Sequence, residues 1–228
     1  MRIGIIADIH GNRPALEAVL ESPPPVDKWI CAGDVVGYYP DVNEVCRILI
    51  SLEAWVIQGN HDSYVTERFI ANPNKQSAYR TEWTRKNLRP EYLHWIHSLP
   101  VELNLSLGSK RIRVRHASPW DEETYLYPDS SRLAEIHLER AHYLFLGHTH
   151  HPMMVPAGEG WLVNPGSVGQ PRDYNPAASY AVLDVESGVV ELRRARYDVV
   201  SYQRYLEKLG WPESTILTLS RTREINRL

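Results

Sequence analysis

The sequence predicts an α/β fold, and two features of its first sixty residues support that class. Three short apolar runs, at residues 2–7, 28–32 and 54–57, each end in polar residues or glycine, as strands buried on both faces of a parallel sheet do. The segments between these runs carry helix-start signals. The opening is therefore predicted to be a βαβαβ unit.

The first helix is predicted over residues 15–21, because Asn12 followed by Pro14 is a typical helix start. The second begins at Asp41, where Glu44 has the capping-box spacing and the apolar residues that follow recur with helical periodicity. Each helix links two consecutive strands, which makes the strands parallel.

The remainder of the chain alternates between helical and strand-like patterns. Further strands are predicted at 101–105, 111–115, 143–146, 161–163, 179–184 and 189–197, with Gly188 in a hairpin between the last two. Helices are predicted at 131–140 and 199–209. Residues 63–97 are helical and unusually aromatic, so we expect a cap whose rings either pack on the core, the favoured alternative, or stack a nucleobase. A single domain over residues 1–228 is predicted, since no repeat or flexible linker interrupts the pattern.

The composition limits the possible partners. With 43% apolar residues, the 228-residue chain can bury one substantial core. Its 25 basic and 28 acidic side chains give a formal charge of −3, which argues against a binder of nucleic-acid polymers. The apolar runs are too short for a membrane span or a signal peptide, so we expect a cytoplasmic protein without a membrane partner. Cys31 and Cys46 lie in apolar segments and are predicted core residues, and a homo-oligomer is left open.

Potential metal ligands follow one predicted strand after another. The five blocks are Asp8-x-His10, Gly33-Asp34, Gly59-Asn60-His61-Asp62, His116 and Gly147-His148-x-His150. Because the carboxyl ends of parallel strands share a rim, and residues two apart in an extended segment face the same way, these side chains are expected to meet. Taken singly, each block has a structural alternative, such as a helix cap, a turn or a hydrogen-bonded histidine. Turns do not require this composition at every strand end, so the whole set favours a metal site.

The five blocks, in this order, resemble the signature of the calcineurin-like metallophosphoesterases. Residues 33–38 and 164–172 further resemble the compact prokaryotic branch of that family, whose members are usually labelled predicted phosphodiesterases. The resemblance implies a two-sheet α/β/β/α sandwich, and the helical pattern of residues 63–97 adds a cap to it. The resemblance also implies that one cation is held by Asp8, His10 and His150, that the other is held by Asn60, His116 and His148, and that Asp34 bridges both.

Two divalent ions of this kind are expected to promote in-line attack of a bridging hydroxide on a phosphate ester. A ligand set of imidazole, carboxylate and amide groups without thiolate suits Mn²⁺, the preferred candidate, and also Fe²⁺, Zn²⁺ or Ni²⁺. His61, which needs no ligand role in this scheme, is expected to protonate the leaving group, and Asp62 is expected to orient its imidazole. The role of His61 depends mainly on the resemblance.

Three loop residues, Asn12, Tyr38 and Arg172, are expected near the substrate, and each has a structural alternative. Asn12 is equally suited to capping a helix, and a surface position is favoured for Arg172, although its guanidinium could clamp a phosphate. The expected substrates are small phosphate esters or nucleotides, with diesters preferred. The alternatives are a dinucleoside-polyphosphate hydrolase, a protein phosphatase, or a binding scaffold like the family's retromer subunit. Retention of His61 and Asp62 disfavours the scaffold.

Overall fold

The computed structural model describes residues 1–22, 24–70, 72–140 and 142–222, and it contains two five-stranded sheets. The strands are β1 (Arg2–Ile6), β2 (Lys28–Cys31), β3 (Trp55–Val56), β4 (Glu102–Leu107), β5 (Lys110–Arg115), β6 (His142–Phe145), β7 (Met153–Ala157), β8 (Gly160–Asn164), β9 (Ala178–Asp184) and β10 (Val190–Ala195). The first sheet has the order β10-β9-β1-β2-β3, and the second has the order β4-β5-β6-β8-β7. The predicted α/β class and two-sheet architecture are confirmed.

The βαβαβ opening is also confirmed. Strand β1 pairs in parallel with β2, placing Ile5 opposite Ile30, and β2 pairs in parallel with β3. The connections contain helices α1 (Arg13–Leu20) and α2 (Val42–Ser51). Strands β9 and β10 form the predicted hairpin and extend the sheet antiparallel beside β1. The carboxyl ends of β1, β2 and β3 therefore open onto one edge of the sheet.

In the second sheet, the parallel part is internal and the antiparallel strands are at its edges. Strands β5, β6 and β8 run parallel to one another, while β4 and β7 each form an antiparallel pair with β5 and β8, respectively. The carboxyl ends of β5 and β6 consequently form a second shared edge. Both edges contribute to the site described below.

The buried apolar residues alternate between two cores, as the period of two in a strand requires. Ile5 and Ile30 lie between the two sheets, where they share a core with Phe145 of the second sheet. Cys31 points to the opposite face and packs in the core beneath the helices, together with Cys46. Both cysteines are free and fully buried, which confirms the prediction that they are core residues.

The predicted helical cap is a series of short helices, not one continuous element. They are α3 (Asn60–Val65), a 3₁₀ helix (Pro73–Lys75), α4 (Gln76–Tyr79), α5 (Thr81–Asn87) and α6 (Pro90–Ser98). Proline begins two of these helices, because it lacks a backbone N–H and cannot sit in the interior of a preceding one. Trp83, Tyr92 and Trp95 pack against the core under the helices, as favoured from the sequence. Tyr79 instead turns toward the strand ends.

Two predictions beyond the cap need correction. The helix predicted at residues 131–140 is wrong beyond a 3₁₀ helix at Ser131–Glu135. The Leu138 N–H donates to the Ala157 carbonyl at 2.9 Å, and Leu138 bridges to Gly158, so the backbone of this segment pairs beside β7 and cannot form helical bonds. The sequence prediction also missed β7 itself.

At the C-terminal side, the predicted closing helix is confirmed as α7 (Val199–Lys208). It is followed by α8 (Glu213–Thr218), which the sequence prediction missed. Both pack with Tyr38, Tyr39 and Trp211 in one apolar cluster. Over the described ranges, no helix combines the length and apolar character needed to span a membrane.

Candidate metal centre and active site

The side chains predicted as metal ligands lie together where the carboxyl ends of the two sheets meet. They follow β1, β2, β3, β5 and β6, and we refer to them as the ligand cluster: Asp8, His10, Asp34, Asn60, His116, His148 and His150. None of them is more than 4% exposed. Backbone bonds tie the loops together, including those from His10 N–H to the Asp34 carbonyl and from Gly147 N–H to the His116 carbonyl. Folding thus brings the complete predicted ligand set into one place.

Three members of the cluster form a first group of donor atoms. The Nε2 atoms of His10 and His150 are 3.1 Å apart, and Nε2 of His150 is 3.4 Å from Oδ1 of Asp8. The donor atoms of these three residues all lie within 4.8 Å of one another, a spacing that could hold a metal ion.

A second group lies around the amide of Asn60. Its Oδ1 is 3.0 Å from His116 Nε2 and 2.8 Å from His148 Nδ1. The Asp34 carboxylate lies between the two groups, because its Oδ2 is 3.6 Å from His10 Nε2 and 3.3 Å from His116 Nε2. The Asp34 carboxylate is therefore within reach of both groups, and it lies closer to His10 and His116 than the Asp8 carboxylate does, at 3.9 Å from each.

Backbone carbonyls fix how the imidazoles of the cluster face inward. The bonds join His10 Nδ1 to Val36 O (3.1 Å), His116 Nδ1 to Ala32 O (2.7 Å), His150 Nδ1 to Gln170 O (2.7 Å), and His148 Nε2 to Glu123 O (3.1 Å). Since a carbonyl only accepts, each of these nitrogens carries a proton, and in the neutral form of each ring the other nitrogen offers a lone pair to the cluster. This is the second layer of hydrogen bonds that orients histidines in metal sites.

The backbone of the cluster is strained. Left-handed φ values occur at Asp8 (54°), His10 (53°), Asp34 (55°), His148 (69°) and His150 (61°). Residues with a Cβ rarely adopt this conformation, and it persists only where the surrounding structure enforces it, which is common at functional sites. Gly59 is required for a related reason, because a Cβ at this position would overlap Oδ1 of Asp34.

The electrostatics of the buried cluster favour binding of cations. Burial raises the pKa of Asp8 to about 8. Burial opposes protonation of His116, but the neighbouring Asp34 and Asp8 carboxylates outweigh it and raise the pKa of that imidazole to about 10. These shifts mean that, without metal ions, bound protons offset the negative charge of the buried carboxylates. Divalent cations would do so directly, and the oxygen and nitrogen donors, without thiolate, fit such ions.

The other imidazoles of the ligand cluster are in the protonation state that suits metal binding. Burial lowers the pKa of His10 to about 4 and that of His148 to about 3, and it also holds the pKa of His150 well below its ordinary value. These rings are neutral at physiological pH, and a neutral imidazole is the form that binds metal.

His61 lies at the edge of the cluster, between His10 and the tyrosine of α4. Its ring centroid is 4.8 Å from that of His10 and 4.3 Å from that of Tyr79, and the side chain is 5% exposed. One nitrogen of His61 is also within 4.8 Å of donor atoms of His10 and Asp34. The ring is therefore close enough either to bind a metal or to face a substrate held beside it.

Asp62 is bonded to the backbone of the loops that carry the cluster. Its fully buried carboxylate accepts backbone N–H groups from Val35 (3.2 Å), Val36 (3.1 Å) and Gly59 (2.9 Å). Both oxygens hold the loop after β2 against the start of α3, and the role of Asp62 in orienting the His61 imidazole stays a prediction. The loop after β2 carries Asp34, so Asp62 positions a member of the ligand cluster.

Two of the three residues predicted near the substrate border the cluster. The Tyr38 ring centroid lies 4.7 Å from that of His10 and 4.9 Å from that of His61. The Arg172 guanidinium donates to the Tyr38 hydroxyl at 3.2 Å and to Gln170 Oε1 at 3.1 Å. Arg172 thus faces the cluster, where its positive charge acts on the pKa values of Asp8 and His150.

Asn12 has the structural role that was its alternative. It is fully buried, and its Oδ1 accepts the Ala15 N–H at the start of α1, at 3.2 Å. Its Nδ2 donates to the Gly169 carbonyl at 2.9 Å and to the Tyr197 hydroxyl at 3.1 Å. These bonds hold the amide against its own helix and loop, and its contact with substrate stays a prediction.

The sequence prediction missed aromatic residues that surround the opening of the site. Tyr125 lies against His148, with ring centroids 3.9 Å apart, and Tyr127 lies 5.9 Å from Tyr125. Together with Tyr38 and Tyr79 they form what we call the tyrosine rim. The only sequence signal was the short Tyr-Leu-Tyr alternation at residues 125–127, which is too brief to predict a strand.

Comparison with known proteins agrees with this geometry. Residues 1–188 match the model of the calcineurin-like phosphoesterase superfamily domain. An uncharacterised protein of Methanocaldococcus jannaschii is 33% identical over 92% of this chain and 94% of its own length. The phosphodiesterase YfcE of Escherichia coli strain K12 is 28% identical over 81% of this chain and 88% of its own length.

A solved structure extends the likeness to nearly the whole fold. The crystal structure of a metallophosphoesterase from Sphaerobacter thermophilus is 29% identical, covers 97% of this chain and 98% of its own, and superposes with a TM-score of 0.81. Metallophosphoesterases use divalent metals, and the His and Asp groups above could bind them. This chain belongs to the calcineurin-like phosphoesterase superfamily and is a phosphoric ester hydrolase.

Proposed function

We propose that this hydrolase uses two divalent cations, Mn²⁺ being the first candidate, to cleave small phosphate diesters, including nucleotides. The observation that carries the proposal is the position of Asp34. A single carboxylate oxygen lies 3.6 Å from His10 and 3.3 Å from His116, which belong to different donor groups. A carboxylate between two ligand groups is the arrangement expected for a shared ligand of a two-metal site.

Asp8, His10 and His150 would hold one cation, Asn60, His116 and His148 would hold the other, and Asp34 would contact both. When bound, such a pair of ions supplies Lewis-acid stabilisation of phosphoryl charge and activates water as the nucleophile. The two cations outweigh the charges of Asp8 and Asp34. The site would then attract an anionic ester although the chain as a whole has a formal charge of −3.

The protein groups around the cluster would complete the reaction. His61 is at the edge of the cluster and is not needed to complete either donor group, so we assign it the proton transferred to the leaving-group oxygen. Arg172 faces the cluster and would bind a phosphoryl oxygen through its guanidinium. Asp62 acts through the backbone of the Asp34 loop and is a positioning residue.

The preference for diesters has two supports. YfcE, which matches 81% of this chain, carries the name of a phosphodiesterase. In addition, the opening of the site is lined by aromatic rings and one guanidinium, which suit a phosphate that bears two organic groups. A monoester would need more positive charge around its extra anionic oxygen.

Metal titration of the purified protein tests the proposal. The metal-stripped protein is titrated with Mn²⁺, while elemental analysis gives the bound ions and hydrolysis of bis-p-nitrophenyl phosphate and p-nitrophenyl phosphate is followed. We expect close to two ions per chain at full activity, with the diester preferred. Activity that saturates at one ion would contradict the two-metal site, and absence of turnover on any ester would contradict the hydrolase mechanism proposed.

A further inference from the structure

Two exposed tyrosines stand at the opening of the site. Tyr125 is 41% exposed and Tyr127 is 37% exposed, whereas the ligands of the cluster are at most 4% exposed. The two rings are nearly parallel, with an interplanar angle of 11° and centroids 5.9 Å apart. Tyr125 also contacts His148 of the cluster. The pair therefore forms an aromatic surface that leads outward from the metal-ligand residues.

The residue between the two tyrosines holds them in place. Leu126 is 1% exposed and packs in the core on the outer side of the second sheet, with Leu144 and Leu162. Leu126 is buried while the residues on either side of it are exposed, so this segment places both tyrosine rings on the side away from the core. Ring order is established before a ligand arrives, which reduces the entropy lost on binding.

The loop before the pair is fixed by polar contacts. The Glu123 carbonyl accepts from His148 Nε2 at 3.1 Å, and the Tyr64 hydroxyl donates to the Glu123 carboxylate at 3.4 Å. Further back, the Asp121 carboxylate accepts the Glu123 N–H at 2.9 Å. The aromatic pair is thus tied to a ligand of the cluster through its own main chain, so its distance from the reacting phosphate is set by the fold.

We infer that Tyr125 and Tyr127 form a subsite for the base of a nucleoside phosphate ester. This inference rests on the proposed function, since it places the phosphate of the same molecule at the ligand cluster beside Arg172. In a nucleotide, one sugar separates the base from the phosphate. Tyr125 contacts His148 of the ligand cluster, and the ring centroid of Tyr127 lies 5.9 Å from that of Tyr125. The two rings are therefore placed where the base of such a molecule would lie. Stacking on tyrosine accepts any base, because every base has an aromatic face.

The chemistry of the pair favours a base over other groups. The two side chains offer ring faces and hydroxyls but no formal charge, so they suit an uncharged planar group better than a second phosphate. A flexible alkyl group would gain only contact area, whereas a flat ring also gains the stacking geometry that aromatic pairs prefer. The substrate class assigned to this site is therefore nucleoside phosphodiesters.

Two diesters with the same leaving group test the subsite. Thymidine 5′-p-nitrophenyl phosphate and methyl p-nitrophenyl phosphate are compared in the presence of Mn²⁺. We expect the protein to prefer the thymidine ester by about tenfold or more in kcat/KM, mainly through a lower KM. The double variant Tyr125→Ala/Tyr127→Ala should lose this preference, while Tyr125→Phe/Tyr127→Phe, which keeps both rings, should retain it.

The ratio of the two substrates cancels general damage to the site, and Tyr205→Ala is the matched control. Tyr205 is 42% exposed and lies on α7 outside the pair, so this variant should keep the preference. Equal kcat/KM for both esters in the unchanged protein, or a preference that survives in the alanine variant, would overturn the subsite and leave the hydrolase function standing. Hydrolysis of neither ester would instead count against the proposed function.

Binding without turnover provides an independent readout. Calorimetry with the Mn²⁺-loaded His61→Ala protein compares adenosine 5′-monophosphate with ribose 5-phosphate, which lacks the base. Tighter binding of the nucleotide by about tenfold, lost when Tyr125 and Tyr127 are changed to alanine, supports the subsite. Equal binding of the two ligands, or binding of neither, would overturn it.

Discussion

The ligand cluster and the tyrosine rim lie side by side but are built in different ways. The cluster is carried by loops that directly follow strands, and backbone carbonyls and strained φ values fix its side chains. The rim comes from separate parts of the chain, with Tyr38 after β2, Tyr79 in α4, and Tyr125 and Tyr127 in the loop after β5. Tyr38 and Tyr79 are placed by packing against each other and against the C-terminal helices.

This difference separates the chemistry from the selection of the substrate. Substituting a side chain of the ligand cluster would weaken binding of the cations. Every phosphate ester would need the positive charge of those cations. A change in the rim alters only the contacts made by particular organic groups. Substitutions in the cluster should therefore abolish activity on all esters, and substitutions in the rim and its supports should change activity moderately.

Asp34→Asn should have the largest effect. The change keeps the shape of the side chain but removes the charge that lies between both donor groups, so both ions should bind more weakly. We expect kcat/KM for bis-p-nitrophenyl phosphate to fall by about a thousandfold or more, together with a lower metal content by elemental analysis. Asp198→Asn, the same change at the exposed N-cap of α7, is the control and should match the unchanged protein. Full metal content with nearly full activity in Asp34→Asn would contradict the proposal that the ligand cluster carries the chemistry while the tyrosine rim selects the substrate.

His61→Ala should separate the proton donor from the ligands. We expect a loss of about a hundredfold to ten-thousandfold for a diester with an alkoxide leaving group, such as a dithymidine phosphate. The loss should be much smaller for methyl p-nitrophenyl phosphate, because p-nitrophenolate leaves without protonation. Metal content, measured in parallel, should stay near that of the unchanged protein. Loss of one ion per chain would show that His61 is a ligand, as its proximity to His10 and Asp34 also permits.

The sequence predicted the cluster well because its placement depends on local rules. A strand that ends in Asp8-x-His10 or His148-x-His150 places its ligands at the shared edge whatever the rest of the chain does. The alternation of apolar residues likewise predicted the parallel strands. By contrast, the sequence could not show that Asp62 bonds to the backbone of Val35, because residues 35 and 62 meet only after β2 and β3 pair.

The failures share a cause, which is competition from tertiary contacts. Residues 136–140 have a composition compatible with helix, yet Leu138 donates its N–H to Ala157 across nearly twenty positions of the chain. Such pairing overrides a weak local propensity. The aromatic side chains of the cap were similar in sequence, but Trp83 packs on the core while Tyr79 lies against His61. Only the folded geometry distinguishes them.

Asp62→Asn tests whether the cluster depends on its backbone supports. The amide retains one acceptor oxygen and places an NH₂ group where the other stood, so at least one of the three bound N–H groups loses its partner. We expect the free energy of unfolding to fall by about 1–3 kcal/mol in urea titrations. We also expect kcat/KM to fall by about tenfold to a hundredfold, equally for both leaving groups.

An equal fall in kcat/KM for both leaving groups distinguishes a role of Asp62 in positioning the loop from a role in orienting His61. If Asp62 instead served the His61 imidazole, its loss would mimic His61→Ala and spare the p-nitrophenyl ester. Asp184→Asn is the matched control, because that carboxylate also accepts a backbone N–H, from Ser187, but in an exposed turn. It should leave both stability and activity unchanged.

Trp211→Phe should have the smallest effect, and it tests how the rim is held. Trp211 donates its Nε1–H to the Tyr38 carbonyl at 2.7 Å, while the Tyr38 N–H donates to the Tyr79 carbonyl at 3.0 Å. Tyr38 has a left-handed φ of 54°, so its backbone needs such support.

Phenylalanine at position 211 keeps an aromatic ring but leaves the Tyr38 carbonyl without this donor, which should lower the free energy of unfolding by about 0.5–1.5 kcal/mol. KM should rise by about twofold to fivefold with kcat nearly constant, because the proposed role of Tyr38 is to contact substrate and not to bind metal. Trp161→Phe, at a 36% exposed position on β8, should change neither value. A fall in kcat with unchanged KM would mean that the C-terminal helices support the ligand cluster itself. The ligand cluster and the tyrosine rim would then not have separate roles.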